Sequence, residues 1–155
     1  MKIKQIAIQV PNIEKAKMLL EEIFNANFSI GDSMVMEGQF DNDTKIGIPL
    51  TLAFDYEMLS DADELELINS PSEYHWHSQR ESGFLSHLGV YCENGIEFDV
   101  AQDKLKALGF KEIQHSISSN HSRKNSDETE RRYIDAIYKT EQVIGFNIKL
   151  SLKVN

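Results

Sequence analysis

The sequence predicts an α+β fold in which two βαβββ modules, about residues 1–70 and 84–155, build one open, cup-shaped mixed sheet with the helices outside. Three observations carry this expectation. Residues 5–28 match residues 87–110 at a fixed offset of 82, through Gln5/His87, Ala16/Phe98, Leu19/Ala101, Ile23/Leu105, Ala26/Leu108 and Phe28/Phe110, and Glu66 and Lys149 recur at 83. Each half reads as a strand, a helix and three strands. Finally, Gln5, Glu66, His87 and Lys149 fall on strand faces turned away from the helices, and such a face is solvated, packed on a partner, or curled into a cavity. The 155 residues suit a single domain with a true core.

Residues 3–10 alternate, with Lys4, Ile6, Ile8 and Val10 on one face and Ile3, Gln5, Ala7 and Gln9 on the other. After Pro11, Asn12 can cap a helix whose Ile13, Ala16, Leu19, Leu20, Ile23 and Phe24 recur at helical spacing. Strands follow near 27–37 and 44–56, separated by a turn at Asp41-Asn42-Asp43, and Pro49 marks an edge or a bulge. In residues 64–68, Leu65 and Leu67 share one face, with Glu64, Glu66 and Ile68 opposite. The second half has a strand at 84–92 and a helix near 99–108, with Asp99 and Gln102 as a capping box and Gly109 as terminator. Strands are expected at 110–117, 132–140 and 144–153, the last with Asn147, Lys149 and Ser151 on its polar face. Between the first two, Ser118 to Arg131 carries no aliphatic side chain and reads as a mobile loop.

Composition excludes several classes of function. A formal charge of −9 opposes the positive footprint of a nucleic-acid-binding protein. The amino terminus has no continuous apolar run of the kind a signal peptide or membrane span requires. Cys92, the one cysteine, lies in an apolar run and reads as a core filler, so a reducing cytoplasm is expected. Neither a Ser/His/Asp arrangement nor a phosphate loop nor a CxxC pair is visible. His75-Trp76-His77 is a weak candidate for metal or ligand contact, and Trp76 with Tyr74 could wall a pocket mouth.

The strings Gln5-Ile-Ala-Ile-Gln-Val-Pro-Asn, Glu64-Leu-Glu-Leu-Ile, Ser86-His-Leu-Gly-Val and Ile144-Gly-Phe-Asn-Ile-Lys-Leu, in this order and at module spacing, resemble the vicinal oxygen chelate superfamily. That superfamily includes glyoxalase I, methylmalonyl-CoA epimerase, extradiol dioxygenases and the bleomycin- and fosfomycin-resistance proteins. The resemblance implies a site on the first and last strands of both modules, where Gln5, Glu66, His87 and Lys149 stand here. It also implies a divalent metal in many members, with Gln5, Glu66 and His87 as ligands if one is bound. The family commonly has Glu at the position of Lys149, and an ammonium has no lone pair to give a metal.

Three readings of these residues compete. A divalent ion is held by Gln5, Glu66 and His87; or Lys149 replaces the metal by an ion pair or water bridge to Glu66, so that no cofactor is needed; or these are ordinary sheet and surface residues. The expected function is binding of a small molecule in the cup, with Gln5, Glu66, His87, Lys149 and Trp76 lining the pocket. Such a protein would be a lyase, isomerase or dioxygenase relative with an altered metal site, in which a Lys149 of lowered pKa and His87 are the catalytic candidates. The alternative is a resistance-type protein that sequesters its ligand and catalyses nothing. The overall charge favours a cationic ligand and Lys149 an anionic one. A homodimer is expected, with no membrane and no nucleic-acid partner.

Overall fold

A computed structural model describes residues 1–40, 45–56, 59, 64–69 and 83–155, with backbone alone at 31–40, 45–50 and 119–124. Its first module runs β1 (Lys2–Gln9), α1 (Ile13–Phe24), β2 (Ser29–Phe40), β3 (Lys45–Asp55) and β4 (Glu64–Asn69). The second runs β5 (Phe84–Cys92), α2 (Gly95–Ala107), β6 (Glu112–Lys124), β7 (Glu130–Tyr138), the single-turn helix α3 (Glu141–Ile144) and β8 (Asn147–Lys153). The two βαβββ modules and the curled mixed sheet are as the sequence predicts. Strand order is β1-β4-β3-β2-β6-β7-β8-β5, returning to β1. Among the described residues, β1/β4 and β5/β8 are the parallel pairs. The rim that the sequence leaves open is bridged by a short ladder pairing Glu37–Phe40 of β2 with Gln114–Ile117 of β6.

Strand register explains the internal repeat. Across the β1/β5 junction Gln5 pairs with Gly89 and Ala7 with His87, so a pseudo-two-fold axis exchanges Gln5 with His87 and Ala7 with Gly89. In the parallel pairs Ala7 stands beside Glu66 and Gly89 beside Lys149, which makes Glu66 and Lys149 equivalent. The small residues have a purpose here: a Cβ added at Gly89 would meet Gln5 Cβ at 2.7 Å and Gln5 Oε1 at 3.0 Å. Gly89 therefore makes the room in which the Gln5 amide lies.

Two apolar clusters separate the helices from the floor of the cup. Val10, Ile13, Phe28, Ala53, Leu65 and Leu67 pack with Ile6, Ile8, Ala16 and Leu20 beneath α1. Cys92, Phe98, Ala101, Ala136, Tyr138 and Leu150 pack with Val90, Leu105, Ile148 and Leu152 beneath α2. With Leu65 and Leu67 on the helix side, strand alternation turns Glu64 and Glu66 inward.

Several sequence expectations are corrected. Helix α2 begins four residues earlier than 99, because Asn94 rather than Asp99 caps it: the Asn94 side chain accepts from Glu97 N–H, while Glu97 Oε2 accepts from Glu93 N–H at 2.8 Å. The last strand begins at Asn147 because α3 and Gly145, at φ 86°, intervene. The segment 118–131 is a hairpin arm and not a loop, since Ser118 pairs with Tyr133, Ser119 with Arg132 and Asn120 with Arg131. Backbone ladder bonds hold this arm where side-chain burial offers little. Its tip spans Asn125 to Thr129, with Glu128 at φ 66°. On α1 the inward stripe is Ile13, Ala16 and Leu20, while Met18, Leu19, Ile23 and Phe24 are all more than half exposed. Pro49 lies in β3 opposite Val35 of β2, beyond the stretch Thr51–Asp55 that pairs with β4, and among the described residues β3 has no second neighbour there. The turn expected at Asp41–Asp43 lies outside the described residues.

Candidate functional site

Gln5, Glu66, His87 and Lys149 meet on the inner face of the sheet, and Gln5 is the hub. Its Nε2 donates to Glu64 Oε2 at 3.0 Å, and its Oε1 accepts from Lys149 Nζ at 3.0 Å. Those neighbours determine the amide's orientation, since a flipped amide would set two donors face to face. His87 Nε2 lies 3.1 Å from the same Gln5 oxygen, so this nitrogen carries the ring proton and Nδ1 is left to accept from Ser86 Oγ at 3.0 Å. Glu66 Oε2 stands 3.5 Å from His87 Nε2 and, though buried, has no hydrogen-bond partner.

The floor extends beyond these four. Glu64 Oε2 also accepts from Tyr91 OH at 3.2 Å, and the Tyr91 ring meets Tyr133 edge-on with centroids 5.6 Å apart. On the other side Lys149 Nζ is 3.8 Å from Asp135 Oδ1, and Asp135 accepts from Ser151 Oγ and Ser118 Oγ, each at 2.5 Å. Lys149 thus contacts Gln5 and Asp135; of the ion pair or water bridge expected with Glu66, a direct ion pair is not formed. Glu66 instead feels the ammonium at longer range.

Burial dominates the electrostatics. The Glu66 carboxyl, 4% exposed, is pushed up from 4.5 to about 7, with desolvation leading, Lys149 opposing it, and Glu64 and Asp135 adding to it. For Lys149, desolvation pulls downward, but Asp135, Glu66, Glu64 and Tyr133 together outweigh it and its pKa rises. The lowered lysine pKa expected from sequence is therefore reversed, because acidic groups surround the amine. Burial, followed by Glu64 and Asp135, keeps the Tyr91 phenol protonated as a donor.

The donor set does not fit a divalent metal. Gln5 Oε1 is occupied by an ammonium, and His87 Nε2 carries a proton where a metal needs a lone pair. Of these three residues, Glu66 alone keeps an oxygen, Oε2, free to coordinate. Among the described residues, no group of three or more His, Cys, Asp or Glu side chains converges as a metal site.

Sequence reasoning passed over Glu64, Tyr91, Asp135 and the three serines. A signal existed for two of them: Glu64 shares the face of Glu66, and Asp135 interrupts the apolar run from Tyr133 to Tyr138 at strand periodicity. Trp76 and the neighbouring Tyr74, His75 and His77 lie outside the described residues. Cys92 is a free thiol buried under α2, and burial raises its pKa.

No protein-family model matches the chain, and neither does any curated protein. Solved structures do. A hypothetical protein from Bacillus halodurans C-125 superposes with a TM-score of 0.58 at 14% identity, covering 99% of this chain and 95% of that one. The methylmalonyl-CoA epimerase of Mycobacterium tuberculosis gives 0.57 at 12%, over 99% and 88%. A methylmalonyl-CoA epimerase in complex with methylmalonyl-CoA and NH4+ gives 0.53 at 12%, over 97% and 93%. The chain has the fold of the vicinal oxygen chelate, or glyoxalase I-like, superfamily. Among the described residues no helix is long and apolar enough to cross a membrane.

Proposed function

We propose that this protein binds a small carbonyl or carboxylate compound on the cup floor and moves a proton on it, as an isomerase or lyase that needs no metal. Glu66 takes a proton from the carbon beside the carbonyl; the C–H electron pair becomes the C=C bond of an enolate as the C=O π pair moves onto oxygen. Lys149, which keeps N–H donors beyond the one given to Gln5, donates toward the negative charge that forms there; Glu66 then returns the proton to carbon. One observation carries the reading: Glu66 Oε2 is buried, has no hydrogen-bond partner, and belongs to a carboxyl raised to about 7 although the Lys149 ammonium acts on it from longer range. A base with that pKa is half ionised at neutral pH, where proton transfer in both directions is efficient. The solved epimerase complex with methylmalonyl-CoA and NH4+ adds support, since Lys149 supplies a tethered ammonium in the same fold.

The test is hydrogen exchange at carbon. Ketones, 2-oxo acids, carboxylates and acyl thioesters are screened by thermal shift, and those that bind are incubated in deuterated water and followed by NMR. Loss of the signal next to the carbonyl with the natural protein, slowed at least about 100-fold by Glu66→Gln while binding persists, is expected. Binding without exchange would instead favour the sequestering reading. That reading draws on Gln5, His87 and Lys149 already satisfying one another.

The same proposal includes a homodimer in the cytoplasm, in which a second copy covers the exposed Met18, Leu19, Ile23 and Phe24 of α1. Light scattering at micromolar concentration should give twice the 17.7 kDa chain mass, falling to one chain in Leu19→Lys/Ile23→Lys. A natural protein at single-chain mass would remove this part alone.

A further inference from the structure

We propose that Lys149 is a resident cation, an ammonium fixed in the fold at the place where the floor of the cup gathers negative charge and where a divalent metal would otherwise be required. Three carboxylates line this floor: Glu64, Glu66 and Asp135 are each at most 4% exposed. Lys149 reaches into it from β8 with its side chain only 13% exposed. Its Nζ is 3.0 Å from Gln5 Oε1 and 3.8 Å from Asp135 Oδ1. The strand position it occupies is the pseudo-equivalent of Glu66, so an exchange of acid for base on one strand turns a site of two symmetric acids into an acid facing a cation.

The surroundings are built to hold that cation still. Ser151 donates to Asp135 Oδ1, the oxygen nearest the ammonium, and Ser118 donates to Oδ2, so the carboxylate cannot rotate away. Gln5 is held from behind by Glu64, which aims its Oε1 at Nζ. Asp135 is thus a positioning residue for Lys149.

This inference does not rest on proton transfer, and its test reads stability and metal uptake. Lys149→Ala is melted in rising ammonium or methylammonium chloride, with tetramethylammonium chloride at equal ionic strength as the control that lacks N–H donors. The expected result is a saturable rise in Tm of about 3 °C or more with the first two salts alone. Lys149→Met fills the space and should show no such rise. In parallel, the untagged natural protein and Lys149→Glu are titrated with manganese, nickel and zinc by calorimetry. The natural protein should take up none, whereas Lys149→Glu should bind one ion per chain and lose it on His87→Ala. Submicromolar uptake of one ion by the natural protein, abolished by His87→Ala, would overturn the proposal even if Lys149→Ala does not fold. So would equal responses of Lys149→Ala to methylammonium and tetramethylammonium.

Discussion

Glu66 couples the stability of the protein to pH. Its carboxyl is raised from 4.5 to about 7 on folding, so between those values the native state holds a proton that the unfolded chain has released. Stability is then greatest below pH 4.5 with respect to this group, and falls as pH rises to about 7, by roughly 3 kcal/mol at full ionisation. Urea unfolding across that range should show the decline in the natural protein and a flatter profile in Glu66→Gln. Gln9 presents a related trade. It faces the cup beside Ala7 and Gln5, and its buried Oε1 has no partner. Gln9→Met removes an unsatisfied polar group at similar volume, so it should stabilise by about 1 kcal/mol while weakening any ligand that donates a hydrogen bond there. Chemical denaturation and thermal shift with a bound ligand measure the two effects separately.

At the scale of elements, the β1/β5 junction is the sensitive one. Gly89→Ala would place a methyl 2.7 Å from Gln5 Cβ, against backbone and side chain that are both constrained. The expected loss is about 1–3 kcal/mol, together with displacement of the Gln5 amide from Lys149 and His87. Gln5→Ala in the same background should relieve most of that loss, which a double-mutant cycle in urea would show. The β6/β7 arm behaves oppositely to what its polar composition suggests. Amides of Ser118 and Asn120, held in the strand ladder, should exchange more slowly than those of Asp127 and Glu128 at the tip. Hydrogen exchange by NMR separates the two, and uniform fast exchange from 118 to 131 would contradict the hairpin.

For the whole molecule, the floor of the cup belongs to both modules at once. Gln5, Glu64 and Glu66 come from the first and His87, Asp135 and Lys149 from the second, joined across β1/β5 and closed across β2/β6. Neither module contains a complete site, and neither closes its sheet alone. Unfolding should therefore be a single cooperative transition, moved as a whole by Glu66→Gln in one module or Asp135→Asn in the other. Two separated transitions, each responding to one variant, would show modules that fold independently.

Strand alternation, the offset of 82 and the helix spacing determined the module plan, the inward faces of β1, β4, β5 and β8, and the convergence of Gln5, Glu66, His87 and Lys149. These are local periodicities and their repetition, and they survive without knowledge of contacts. The helix cap at Asn94 and the hairpin at 118–131 were legible only in part, because a capping residue competes with similar neighbours and a ladder of backbone bonds leaves no side-chain pattern. Which groups touch was decided by tertiary structure alone. Lys149 turned to Gln5 and Asp135 instead of Glu66 because β7 lies next to β8 on the side away from β1, a neighbour that strand order supplies and periodicity does not. The charge states followed from the same cause, since burial raised Glu66, and acids contributed by β4 and β7 kept Lys149 an ammonium.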